Sequence, residues 1–207
     1  MPTRRLLLAA LTSGLAFPAL AAPTPVVTIL GDSITAGLGL HAADALPAQL
    51  QAALRAQKVS AVVRGAGVSG DTTAGGLARL DFSVQPDTSL CVVELGANDL
   101  LQGIDVAQTR TNLTAIIRRL KMRRVRVVLA GGKAPSQTLG AYGRAFDALF
   151  PGLAASEHVV LAPDLLAGVM DRPELKQADG LHPNPAGVKI VAARLAPVVA
   201  RALAGAR

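Results

Sequence analysis

The chain has 207 residues, 51% of them apolar, which is enough for one globular domain with a sizeable core. A single cysteine and the absence of paired histidines at ligand spacing exclude a disulfide framework and point to no metal and no cofactor. The formal net charge of +7 invites a nucleic-acid role, but the densest basic run, residues 118–126, falls at the end of a predicted helix, where cations complement the macrodipole, and lacks aromatic stacking partners; this leaves only weak attraction to an anionic membrane or cell-envelope surface.

The first segment does not belong to the core. Arg4-Arg5 form a charged start, Leu6 to Leu20 an apolar stretch broken by Thr12, Ser13, Gly14 and Pro18, and Ala19-Leu20-Ala21 a small-x-small cleavage site. Residues 1–21 are therefore expected to be a removed signal peptide, and residues 22–207 one domain exported to the periplasm or beyond. The apolar stretch is short for a bilayer span.

From there short β-branched runs alternate with longer stretches that are apolar at helical spacing, the pattern of βα units on a parallel sheet. A strand is predicted over Val26–Leu30, followed by Gly31-Asp32-Ser33, then a helix over Asp44–Gln57. The next strand, Ser60–Arg64, runs into the glycine-rich segment Gly65-Ala66-Gly67-Val68-Ser69-Gly70-Asp71 and a helix over Thr73–Phe82. A third strand, Leu90–Leu95, holds Cys91 as a core residue, leads into Gly96-Ala97-Asn98-Asp99, and is followed by an apolar loop, Leu100–Ile104, expected to border a cleft. Beyond it come a helix over Val106–Lys121, a strand over Val125–Ala130, a helix over Leu139–Ala155 and a strand over Val159–Leu161. Asp179 and His182 precede a last helix over Pro185–Ala204. The expected architecture is a three-layer α/β/α sandwich on a mainly parallel five-stranded sheet.

In open parallel sheets ligands bind beyond the C-terminal ends of the strands, so the polar residues that follow each strand carry the chemistry. Ser33 is a candidate nucleophile, but an alcohol needs a base to take its proton as attack proceeds. His182 can be that base, and Asp179, three residues earlier, can fix its tautomer. A tetrahedral intermediate needs donors for its oxyanion; the backbone N–H groups of Ser33 and Gly70 and the carboxamide of Asn98 are available at the same edge. His41 and His158 have no acid at comparable spacing.

Gly31-Asp32-Ser33-Ile34-Thr35-Ala36-Gly37, Ser69-Gly70-Asp71-Thr72, Gly96-Ala97-Asn98-Asp99 and Asp179-Gly180-Leu181-His182-Pro183 resemble, in order, the consensus blocks of the SGNH/GDSL hydrolases. The chain looks most like the bacterial periplasmic thioesterase, lysophospholipase and arylesterase subgroup. The resemblance implies a flavodoxin-like sandwich and metal-free hydrolysis of small acyl esters or thioesters through an acyl-enzyme. It makes Ser33 the nucleophile, Asp179 and His182 its partners, and Ser33, Gly70 and Asn98 the oxyanion hole. Ala97 stands where that subgroup often has glycine, and residues 131–137 lie where it shapes its acyl pocket.

Other functions compete. Gly65-Ala66-Gly67-Val68-Ser69-Gly70 matches GxGxxG, with Glu94 near the end of the next strand, but it follows the second strand and not the first, and Asp71 sets a negative charge where a pyrophosphate would rest. A carbohydrate O-acetylesterase, or a non-catalytic lipid- or glycan-binding module, fits the same fold.

Overall fold

The computed structural model describes residues 23–205, so the segment read as a signal peptide lies outside the described residues. β1 (Val26–Gly31), β2 (Val62–Gly67), β3 (Thr88–Glu94), β4 (Arg126–Ala130) and β5 (Val160–Ala162) form one sheet in the order β2-β1-β3-β4-β5, with every neighbouring pair parallel. Around it lie α1 (Ser33–Ala36), α2 (Leu46–Ala56), α3 (Thr73–Ala78), α4 (Leu80–Ser83), α5 (Ala97–Leu101), α6 (Val106–Met122), α7 (Ser136–Glu157) and α8 (Pro185–Ala204).

The strands are buried on both faces, so alternate residues feed two cores. Val27, Ile29, Leu90, Val92, Val128 and Ala130 share one core with α2 and α8. Leu30, Cys91, Val93, Val127 and Leu129 share the other with α6 and α7. Leu46, Leu50 and Leu54 repeat at four-residue spacing along α2 and are fully buried, each worth about 1.5–3 kcal/mol of apolar burial. Cys91 sits inside this packing, and burial pushes its thiol up to about 12.

The strand order is that of a flavodoxin-like sheet, whose chain reverses direction across the sheet between β1 and β3. Gly31, the last residue of β1, pairs in register with Glu94, the last residue of β3. The loops leaving these two strands therefore diverge to opposite layers and open a crevice between them.

Several elements differ from their sequence expectation. The second strand runs two or three residues further along than predicted, because Gly65 and Gly67 belong to it. A Cβ on Gly67 would lie 2.3 Å from the Ala36 nitrogen, and one on Gly65 2.7 Å from Cγ of Pro47, so only glycine lets α1 and α2 approach β2 this closely. The GxGxxG segment is thus largely strand and not a strand-to-helix phosphate loop, which removes the dinucleotide alternative. The predicted helix over 73–82 is two helices meeting at Arg79. That over 44–57 is a short 3₁₀ turn, Ala42–Asp44, and then α2, separated by extended Ala45. Gly96-Ala97-Asn98-Asp99, for which no helix is predicted, caps and opens α5. α7 begins at Ser136 and contains non-helical Gly140 (φ 54°), so its regular part starts close to the predicted Leu139.

The basic run ends α6, with Arg119 and Lys121 in its last turn. Three of its cations are held in ion pairs: Arg118 with Glu157, and Arg119 and Arg123 with Asp81.

Candidate active site

Ser33 is the first residue of α1, placed there by the turn at the end of β1. Asp32 caps the helix, its Oδ1 accepting from the Ile34 nitrogen at 3.0 Å. A Cβ at Gly31 would come within 2.1 Å of Thr35 Oγ1 and 2.3 Å of Glu94 Oε2, so the turn closes over two buried polar groups and tolerates no side chain there.

His182 comes from a loop before α8. Gln177 donates its backbone N–H to the His182 carbonyl at 2.8 Å and accepts the Gly180 N–H on its own carbonyl at 3.0 Å, and Gly180 supplies the positive φ of 69° that the turn requires. Asn184 then caps α8 through the Ala186 and Gly187 nitrogens.

These two distant segments meet. Ser33 Oγ and His182 Nε2 are 2.8 Å apart, and His182 Nδ1 and Asp179 Oδ2 are 2.6 Å apart. Asp179 Oδ1 accepts the backbone N–H groups of Leu181 at 2.9 Å and His182 at 3.0 Å. Those bonds, the His182 backbone N–H first and its side chain next, hold the Asp179 carboxyl down at about 2. An ionised carboxylate only accepts, so Nδ1 of His182 carries the hydrogen, and in the neutral imidazole the Nε2 lone pair faces Ser33. The Ser33 hydroxyl therefore donates to Nε2.

Gly70 lies in the turn after β2, with φ of +84° and open space at its missing Cβ. Glycine is required there by the backbone conformation alone. Asn98 is in α5, whose N-cap is Gly96, a residue with φ of +119°. The Asn98 carboxamide donates to the Asp71 carbonyl at 2.9 Å and to Asp32 Oδ2 at 3.2 Å. It thus bridges the turn after β2 to the cap of α1. Ala97 is accommodated in helical backbone, where a methyl group is unstrained. His41 precedes the 3₁₀ turn, and His158 ends α7 in left-handed conformation; neither joins this group.

Some residues of the site have no local signature in the sequence. Glu94 is buried, and its Oε2 accepts from Thr35 Oγ1 at 2.7 Å and from the Asp32 nitrogen at 3.3 Å. Burial raises the Glu94 carboxyl well above the usual carboxylate range, with the Asp32 charge adding to it; burial also raises Asp32. Asp99, fully buried, accepts the Thr73 nitrogen at 2.8 Å and the Thr73 and Thr109 hydroxyls, fastening α5 to α3 and α6. Gln177 Nε2 donates to the Leu38 carbonyl at 2.8 Å and the Pro183 carbonyl at 3.0 Å, tying the segment after α1 to the His182 loop.

A shallow groove beside Ser33 and His182 is lined by Ile34, Leu38, Leu40 and Val188. Leu38, Val68 and Leu181, in loops, and Leu101, at the end of α5, are large apolar residues exposed at this edge. The expected apolar loop is split in role: Leu100 packs on the α6–α7 core while Leu101 projects to solvent. Among the described residues no cluster of His, Cys, Asp and Glu is arranged to hold a metal ion.

Comparison with known proteins adds an independent line. The profile of the GDSL-like Lipase/Acylhydrolase family matches residues 29–190. The chain is 37% identical over 163 residues to Esterase TesA of Pseudomonas aeruginosa, covering 78% of this chain and 81% of that one. It is 38% identical over 171 residues to Thioesterase 1/protease 1/lysophospholipase L1 of Escherichia coli K12, covering 82% and 80%. Its fold superposes on the crystal structure of AlinE4, an SGNH-hydrolase family esterase, with a TM-score of 0.74 and 41% identity over 89% of this chain and 99% of that one.

Proposed function

The chain belongs to the GDSL-like lipase/acylhydrolase family and is an ester hydrolase, and from that premise we propose that it is an exported serine enzyme cleaving small acyl esters and thioesters through an acyl-enzyme. Ser33 attacks the acyl carbon while its proton passes to Nε2 of His182. Asp179 holds the imidazole in the required tautomer and stabilises the imidazolium that forms. His182 then protonates the leaving alcohol or thiol; in the second half it takes a proton from a water whose oxygen attacks the acyl carbon, then gives that proton to Ser33 Oγ as the acyl–Oγ bond breaks and the acid leaves. The N–H groups of Ser33 and Gly70 and the Asn98 carboxamide receive the oxyanion; Asn98 does so by exchanging its longer bond, the one to Asp32.

The observation that carries this proposal is the unbroken relay from Ser33 Oγ to Nε2 and from Nδ1 to Asp179, at 2.8 and 2.6 Å. The exposed apolar residues around Ser33 favour acyl chains over sugars. Export rests on the sequence of residues 1–21.

A fluorophosphonate probe tests the nucleophile. The folded protein should be labelled once, Ser33→Ala should be neither labelled nor active, and His182→Ala should lose turnover while its thermal unfolding stays close to that of the parent. Undiminished hydrolysis by Ser33→Ala would end the proposal, and activity restricted to acetyl esters would replace it with deacetylation.

A further inference from the structure

Arg79 joins α3 to α4, and nothing in the reaction scheme uses it. Its guanidinium is mostly buried and makes four hydrogen bonds. Nε donates to Asp71 Oδ2 at 2.6 Å, Nη1 to the Ala66 carbonyl at 2.8 Å and to Ser83 Oγ at 3.0 Å, and Nη2 to the Gly31 carbonyl at 2.8 Å. The partners come from the end of β1, the end of β2, the turn after β2 and α4. Planar guanidinium geometry fixes these directions together, which lysine cannot do.

Each group assigned to the oxyanion hole hangs from one of those partners. The Ser33 N–H lies two residues beyond Gly31, whose carbonyl also accepts the Val68 N–H at 3.1 Å. The Gly70 N–H lies one residue before Asp71. The Asn98 carboxamide is held by the Asp71 carbonyl at 2.9 Å. We propose that Arg79 is the positioning residue of the oxyanion hole, a clamp that fixes the three donors relative to one another. This inference rests on the function proposed above. Asp71 neutralises the guanidinium at close range, so Arg79 acts through geometry and not by placing a net charge at the reacting carbon. Donors aimed at the transition state raise kcat more than they tighten ground-state binding, so loosening them should appear in kcat.

The test is steady-state hydrolysis of a p-nitrophenyl ester by Arg79→Ala and Arg79→Lys, each also placed in an Asn98→Ala background. Both folded single variants should lose about 10- to 100-fold in kcat, with KM within about threefold and an unchanged pH profile. In the Asn98→Ala background the same substitution should cost less than it does in the parent, because one of the three donors that Arg79 orders is already gone while the Ser33 and Gly70 amides remain. Arg79→Lys retains a cation next to Asp71 and decides the matter if Arg79→Ala does not fold. A kcat within twofold of the parent in either folded variant, a loss carried by KM, or equal losses in both backgrounds would overturn the clamp. Those results leave the proposed function standing when Ser33→Ala is inactive in the same assay; an active Ser33→Ala would instead remove the function itself.

Discussion

At the scale of single residues, Ser33 and His182 lie within hydrogen-bond distance, and the buried Glu94 and mostly buried Arg79 tie together the backbone segments around them. Ser33 after a strand and His182 three residues past an aspartate form a pattern only in combination, since each alone reads as an ordinary loop residue, and the structure brings them together across 149 residues of chain. Glu94 and Arg79 have no such pattern; each looks like an ordinary charge in a strand or a helix. Their roles arise only when Glu94 meets Thr35 and Asp32, or when Arg79 reaches Gly31. Glu94 also makes a pH-dependent prediction. Burial lifts its folded value well above the ordinary 4.5, so between 4.5 and that folded value the native state binds more protons than the unfolded chain. Stability contributed by the protonated form is then present below 4.5 and declines as pH rises, by at most about 1.4 kcal/mol per pH unit. Glu94→Gln lacks that loss. Thermal unfolding from pH 4.5 to 8 should show the variant gaining on the parent as pH increases; a difference that stays constant would mean that Glu94 ionises in the folded protein as freely as in the unfolded one.

At the scale of elements, hydrophobic periodicity located the five strands and the long helices, while close backbone approach set their boundaries. β2 extends through Gly65 and Gly67, residues that ordinarily weaken a strand, because α1 and Pro47 leave no room for a Cβ. Propensity alone ends the strand too early; tertiary crowding overrides it. The short α5 escaped detection for a related reason, since it starts only where Gly96 adopts a φ of +119° and Asp99 is fastened to Thr73. Gly67→Ala should expose the consequence. Its methyl would meet the Ala36 nitrogen and the Asp32 carbonyl, both backbone atoms, so α1 must move away from β2. The expected loss of stability is about 1–3 kcal/mol by urea unfolding, with kcat falling because Ser33 rides on α1. Unaltered stability and turnover would mean that the packing of α1 on β2 is not what places the serine.

At the scale of the whole molecule, the flavodoxin-like order of the sheet explains why residues so far apart in sequence share one edge. β1 and β3 are neighbours whose exits diverge, so Ser33 and Asn98 rise on either side of one crevice, while the long α8 sets the Asp179–His182 loop over it. The family sequence blocks made this arrangement readable in advance; the groove beside Ser33 was not readable because it forms only where Val188 of α8 meets Ile34, Leu38 and Leu40, an ordinary apolar stretch far earlier in the chain. A crystal structure of the protein phosphonylated by a fluorophosphonate tests the central claim most directly. Phosphorus should be bonded to Ser33 Oγ, with one phosphonyl oxygen within hydrogen-bond distance of the Ser33 and Gly70 nitrogens and Asn98 Nδ2, and with His182 still between Ser33 and Asp179. Phosphorus on another residue, or a phosphonyl oxygen turned away from all three donors, would contradict it.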